Sequence, residues 1–126
     1  MATNNTARIE KNSSNNTARV FIPQEPTKWD DAAKMRVPSI NVAPAAKFGK
    51  LEILLPPQVT LLYPDPIVRT LKERFNDITG DDYLLAVGDP SLIAICAGLF
   101  LQQLGSMKLL KWDRASQVYL TVRIQI

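Results

Sequence analysis

The sequence predicts a small α/β fold, with α+β as the adjacent class: a mixed sheet of about five strands, two helices and an extended N-terminal arm. Three observations predict it. The continuous apolar run Tyr83-Leu84-Leu85-Ala86-Val87 has strand length and lies between Asp81-Asp82 and Gly88-Asp89-Pro90, the pattern of a central strand buried on both faces. An apolar stretch of helix length follows, from Ser91 to about Leu104, ending before Gly105. Two strand patterns then close the chain, Met107 to Trp112 and Val118 to Ile126, around a turn at Asp113 to Gln117. A helix between the strands at 83 and 107 makes them parallel by a right-handed crossover, and the short turn makes the last two antiparallel.

The elements divide the chain of 126 residues into three parts within one domain's length. Residues 1–20 form a polar arm rich in Asn, Ser and Thr, in which Asn4-Asn5-Thr6-Ala7-Arg8 recurs as Asn15-Asn16-Thr17-Ala18-Arg19. The repeat is far shorter than the roughly 20 to 50 residues of a solenoid unit, so it reads as a duplicated tail. Its three Asn-x-Ser/Thr triplets are compositional. Residues 21–50 carry Pro23, Pro26, Pro38 and Pro44, which leave room only for a short helix at Trp29 to Met35 in an otherwise extended, wrapping segment. Phe21, Trp29 and Phe48 are its expected anchors.

Residues 51–126 form the α/β domain. Leu51 to Leu55 and Val59 to Tyr63 read as two strands joined at Pro56-Pro57-Gln58. Asp65 is placed to cap a helix starting at Pro66. Ile67, Leu71, Phe75 and Ile78 follow helical spacing, and the helix is expected to stop near Thr79-Gly80. Asp89 and Pro90 repeat the cap arrangement for the second helix. That helix is apolar on nearly all sides until Gln102 and Gln103, so it is expected to pack on the sheet with one face and on the extended segment or a partner with the other. In the last strand Val118, Leu120, Val122, Ile124 and Ile126 alternate with Tyr119, Thr121, Arg123 and Gln125, predicting a half-buried edge or near-edge strand with one face wet.

Composition removes whole classes of chemistry. The chain has no histidine, which excludes His-based triads and most zinc sites. Its single cysteine, Cys96, lies in an apolar run, so it reads as a buried reduced thiol and a poor nucleophile. The turn at Gly88-Asp89-Pro90 sits where α/β proteins bind phosphate, but Asp89 would repel an anion and Pro90 lacks a donor. Asp77, Asp81, Asp82, Asp89 and Asp113 match no calcium loop and read as solvated. No cofactor, metal or catalytic residue is expected, and no enzyme. A secretory leader pattern is lacking at the N-terminus, and the longest apolar run, about ten residues, is short of the roughly 20 that cross a bilayer; a protein kept inside a cell, or packaged from one, is expected. The net charge of +3, from fifteen basic and twelve acidic residues, reads as spread along the chain and names no nucleic-acid partner by itself.

Two groups are candidate contact residues. Arg8, Lys11 and Arg19 on the arm, with Trp29 beyond it, would touch a neighbouring chain. Lys108, Lys111, Arg114 and Arg123, with Trp112 and Tyr119, put basic and aromatic side chains on the terminal hairpin, a combination that can bind single-stranded nucleic acid or otherwise forms the wet face of the sheet; Lys108, Lys111, Trp112 and Arg114 are the candidate contacts.

The run Asp81-Asp82-Tyr83-Leu84-Leu85-Ala86-Val87-Gly88-Asp89-Pro90, the apolar helix after it and Lys108-Leu109-Leu110-Lys111-Trp112-Asp113-Arg114 with Tyr119 beyond resemble a group of small proteins encoded by tailed bacteriophages. The resemblance covers roughly residues 65–126 and brings no catalytic or binding residue with it. It implies a viral context. With the arm, the proline-rich wrap and the over-apolar helix, the expectation is a structural or assembly protein that meets other virion or assembly proteins as an oligomer, in the virion or in the host cytoplasm. The alternative is a small regulatory protein binding nucleic acid or a host protein through its basic hairpin.

Overall fold

A computed structural model describes residues 17–57 and 64–126. The described chain is α+β. A five-stranded mixed sheet is assembled from β1 (Arg19–Gln24), β4 (Lys50–Leu55), β5 (Tyr83–Leu85), β6 (Ser106–Asp113) and β7 (Val118–Gln125), in the order β4-β1-β5-β6-β7. A separate hairpin pairs β2 (Thr27–Asp30) with β3 (Met35–Pro38). The helices are α1 (Asp65–Arg74) and α2 (Pro90–Leu104), and a 3-10 turn covers Ala43–Phe48. The expected partner strand at 59–63 lies outside the described residues.

The parallel pairing of β5 with β6 and the antiparallel pairing of β6 with β7 are those expected. The segment at 21–50 differs. β1 lies inside the sheet, parallel to β4 on one side and β5 on the other. Val20-Phe21-Ile22 is itself a short continuous apolar run, as suits a strand buried on both faces. Pro23, which argues against a central strand, has no registered partner on either side, so its missing N–H interrupts no ladder bond. The short helix expected at Trp29 to Met35 is instead the turn of the β2–β3 hairpin, closed by Lys34 N–H donating to the Asp30 carbonyl at 2.8 Å with Lys34 at φ 55°.

Each face of the sheet has its own core. On one, Phe21, Leu84 and Met107 meet Leu71, Phe75, Cys96 and Phe100 from the helices and the turn after α1. Phe21, Phe75 and Phe100 form a triangle of edge-on rings with centroids 5.1, 5.0 and 6.0 Å apart, the preferred arrangement of aromatic quadrupoles. On the other, Val20, Ile22, Leu85, Leu110 and Tyr119 pack under Ala45, Val42 and Phe48 of the 3-10 turn region. The wrapping segment therefore covers the face opposite α2, not α2 itself. Helix α2 packs on β1, β6 and α1, burying Leu92, Cys96 and Phe100, while Ala94 and Gly98 face outward.

The cap of α2 is the expected one. Asp89 accepts from Ser91 N–H at 2.7 Å, and Gly105, at φ 72°, donates its N–H to the Leu101 carbonyl at 2.8 Å; a left-handed residue after the helix favours glycine. In α1 the expectation moves by one turn. Pro64 holds the cap position without a side-chain bond, Asp65 lies in the first turn, and the helix closes at Phe75 instead of Thr79. Asn76 and Asp77, poor helix formers with competing side chains, continue as turns that still bury Ile78.

Candidate protein-interaction surface

The start of β1 is held by charge. Arg19 N–H donates to Asp82 Oδ1 at 3.0 Å, its guanidinium reaches Asp82 Oδ2 at 2.9 Å and Asp77 Oδ1 at 3.1 Å, and Thr79 N–H donates to Asp82 Oδ2 at 3.0 Å. Burial alone would lower the Arg19 pKa, but the bonds to Asp82 and Asp77 outweigh it and hold the guanidinium above its ordinary value. Arg19, a candidate contact residue of the arm, is thus engaged inside the fold; Arg8 and Lys11 lie outside the described residues. Trp29 is 55% exposed, and its Nε1–H donates to Asp31 at 2.9 Å.

Two further carboxylates have structural partners. Asp89 caps α2, and Asp113 accepts from the Ser116 hydroxyl and, at 3.1 Å, from Ser116 N–H, which lowers its pKa. No cluster suited to a metal occurs among the described residues. Cys96 is fully buried, and desolvation pushes its thiol up to about 12. Gln24 fills the space at the carboxyl ends of β1 and β5, donating to the Pro56 carbonyl at 2.9 Å and accepting from Asp89 N–H at 3.2 Å. A Cβ on Gly88, at φ 112°, would lie 2.8 Å from the Gln24 carbonyl oxygen.

The terminal hairpin gathers four properties. First, β7 is an edge strand, and among the described residues none pairs with its outer side. Second, its apolar row is not covered: Val118 is 36%, Leu120 47%, Val122 38% and Ile126 81% exposed. The edge position is the expected one, but the apolar row is more exposed than the half-buried strand predicted. The helix layer sits over β1 and β6, leaving only Ile124 of the row packed against that core, while Tyr119 of the predicted wet face is buried against Trp112, ring centroids 4.9 Å apart. The Tyr119 hydroxyl has no hydrogen-bond partner among the described residues, and burial raises its pKa.

Third, the hairpin is basic. Residues 106–126 contain Lys108, Lys111, Arg114 and Arg123 against Asp113 alone, a balance of +3. Fifteen basic residues less these four, and twelve acidic less this one, leave eleven of each in the rest of the chain. Basic residues are not confined to the hairpin, since residues 1–50 hold eight basic and four acidic residues and residues 51–105 three and seven. Fourth, Lys108 and Arg123 are directly opposed across the strands, with Lys108 Nζ 4.2 Å from the Tyr83 ring centre. Opposed like charges destabilise a strand pair, and no described carboxylate bridges either one. Both line a cleft of about 190 Å³ at the end of the sheet, together with Asp82 and Gln125.

The predicted quartet does not share one surface. Lys108 and Trp112 alternate with Lys111 along β6, so Lys111 faces the helix side opposite Leu120, and Arg114 lies in the turn. Tyr83 and Tyr119, the rings beside them, carry Lys108 and Trp112 respectively.

These features define the class: a compact α+β protein whose sheet ends in an open, apolar and cationic edge. Its lineage is phage. The chain belongs to the Phage Pam3 gp32-like protein family, whose model matches residues 18–126. The match begins one residue before β1 and so includes the strand inside the sheet, well beyond the portion from residue 65 on which the resemblance rested. No curated protein and no solved structure was found to match.

Proposed function

We propose that this phage protein is a non-enzymatic structural or assembly component of the virion, working through contacts with neighbouring chains. The observation that carries the reading is the outer edge of β7, eight residues long with three exposed large apolar side chains and a fourth, Ile126, directly after it. Proteins that remain alone blunt such an edge with charge, proline or a cover, because it is a template for another strand; a contiguous exposed apolar row marks an interaction site. The polar arm expected at residues 1–20, of which 1–16 lie outside the described residues, would add a second contact. Location in the virion, or in host cytoplasm during assembly, follows from the reading.

The test is mass spectrometry of gradient-purified particles of the encoding phage, alongside deletion of the gene. Presence in particles at a fixed ratio to the major proteins, or accumulation of incomplete particles on deletion, is expected. Absence from particles combined with normal particle yield on deletion would overturn the reading. The alternative, single-stranded nucleic acid on the hairpin, draws support from its +3 balance but is weakened by the division of Lys108 and Lys111 between two faces. It requires salt-sensitive binding of an oligonucleotide at low ionic strength, measurable by fluorescence anisotropy.

A further inference from the structure

We propose that the outer edge of β7 takes up an extended segment of a different protein as a sixth strand, and that this segment alternates apolar with acidic residues. The inference deepens the assembly reading above and rests on it for the identity of the partner as another assembly protein.

The backbone supplies the first argument. Ile126 N–H donates to the Gly105 carbonyl at 3.1 Å, so Ile126, Ile124, Val122, Leu120 and Val118 turn their backbone groups toward β6. By the alternation of an antiparallel ladder, Tyr119, Thr121, Arg123 and Gln125 present theirs outward. A strand laid along them gains main-chain bonds over about 27 Å, at roughly 3.4 Å per residue.

Side chains specify the occupant. On the helix side the added strand meets Leu120 and Val122, backed by half-buried Leu109, which calls for apolar residues at alternate positions. On the opposite side it meets Arg123, with Lys108 behind it and no acid among the described residues bridging either, which calls for carboxylates at the positions between. A second copy satisfies only the first demand. Two β7 strands centred on Thr121 would match Leu120 with Val122, but would set Lys108 and Arg123 of both copies on one face and join two hairpins of +3 each. Like charges across an interface oppose association, and opposite ones select a partner.

The test uses the full chain, isotope-labelled, titrated with three nine-residue peptides: valine alternating with glutamate, valine alternating with lysine, and the first composition in two blocks. The alternating acidic peptide should move the amides of Tyr119, Thr121, Arg123 and Gln125 and bind at least about tenfold more tightly than the lysine peptide in low salt, as charge complementarity predicts. Arg123→Glu, at an exposed position, should reverse that preference with the far-UV spectrum unchanged, and Leu120→Asp should weaken both alternating peptides. Equal affinity for the two charges, equal affinity for the block peptide, shifts away from β7, or a concentration-dependent dimer through β7 would overturn the proposal. Presence in particles with no peptide binding removes this inference and leaves the assembly reading; peptide binding without any role in particles does the reverse.

Discussion

β1 and β7 are both apolar strands of one sheet, and they have opposite fates. β1 is buried from Val20 to Gln24, with β4 and β5 on its flanks and a core on each face. β7 is the more regular amphipathic pattern, yet most of it is exposed. Apolar character therefore does not by itself place a strand. Neighbours do: β1 is covered by this chain, and the outer side of β7 is left open among the described residues.

The largest expected effect falls on β1. Phe21→Ala removes one corner of the ring triangle and should cost about 3–5 kcal/mol in denaturant unfolding, enough to consume much of a small domain's stability. A loss below about 1 kcal/mol would mean that β1 is not the core strand described. Asp82→Asn comes next. It leaves the amide and guanidinium donors of Arg19 without their charged acceptor, and should cost about 2 kcal/mol with the melting temperature falling accordingly. The residual pair with Asp77 is more exposed and contributes less.

Titration separates the two regions by direction. Cys96 lies beneath β1, and its thiol is raised to about 12, against about 8.5 in an unfolded chain. Between those values the unfolded chain has lost a proton that the folded chain keeps. Stability present below about pH 8.5 is therefore lost as pH rises, by roughly 1.4 kcal/mol per unit. Comparing unfolding of the parent and Cys96→Ala from pH 8 to 11 should show the parent losing stability more steeply by this amount, and parallel curves would contradict the burial. Asp113, at the turn leading into β7, has the opposite sign. Its pKa is lowered by Ser116, so its contribution is present above the ordinary carboxylate range and lost as pH falls through the folded value. The group is exposed and the effect should be small, visible as broadening of the Ser116 and Gln117 amides at acid pH and abolished by Asp113→Asn.

The smallest effect on stability is expected for Leu120→Ala, below about 0.5 kcal/mol as for exposed sites generally. The same substitution should reduce partner binding. A loss above about 2 kcal/mol would show that Leu120 is covered by this chain after all.

What was legible in the sequence was local. Asp89, Pro90 and Gly105 announce the ends of α2 because caps involve groups a few residues apart, and the β6–β7 hairpin follows from its spacing. The position of β1 was not legible, because Pro23 obscures a short strand whose partners lie about 30 and 60 residues away. The Arg19–Asp82 pair spans 63 positions, and nothing local in either residue points to the other. At the candidate surface, Lys108, Lys111, Trp112 and Arg114 were recognisable as a basic and aromatic hairpin, but strand alternation divides them between faces. Arg123 and the edge position of the last strand were legible too, but the opposition of Arg123 to Lys108 and the uncovered row from Val118 to Val122 were not, since alternation reveals an apolar face but not what covers it.

The contrast between the two strands is tested most directly by amide hydrogen exchange on the free full-length chain. Amides of Val20, Phe21 and Ile22 should exchange only through global unfolding, whereas those of Tyr119, Thr121, Arg123 and Gln125 should exchange near the unprotected rate while Leu120, Val122 and Ile124 remain slow through β6. Equal protection of all β7 amides in the free monomer would contradict the open edge on which the proposed contacts depend.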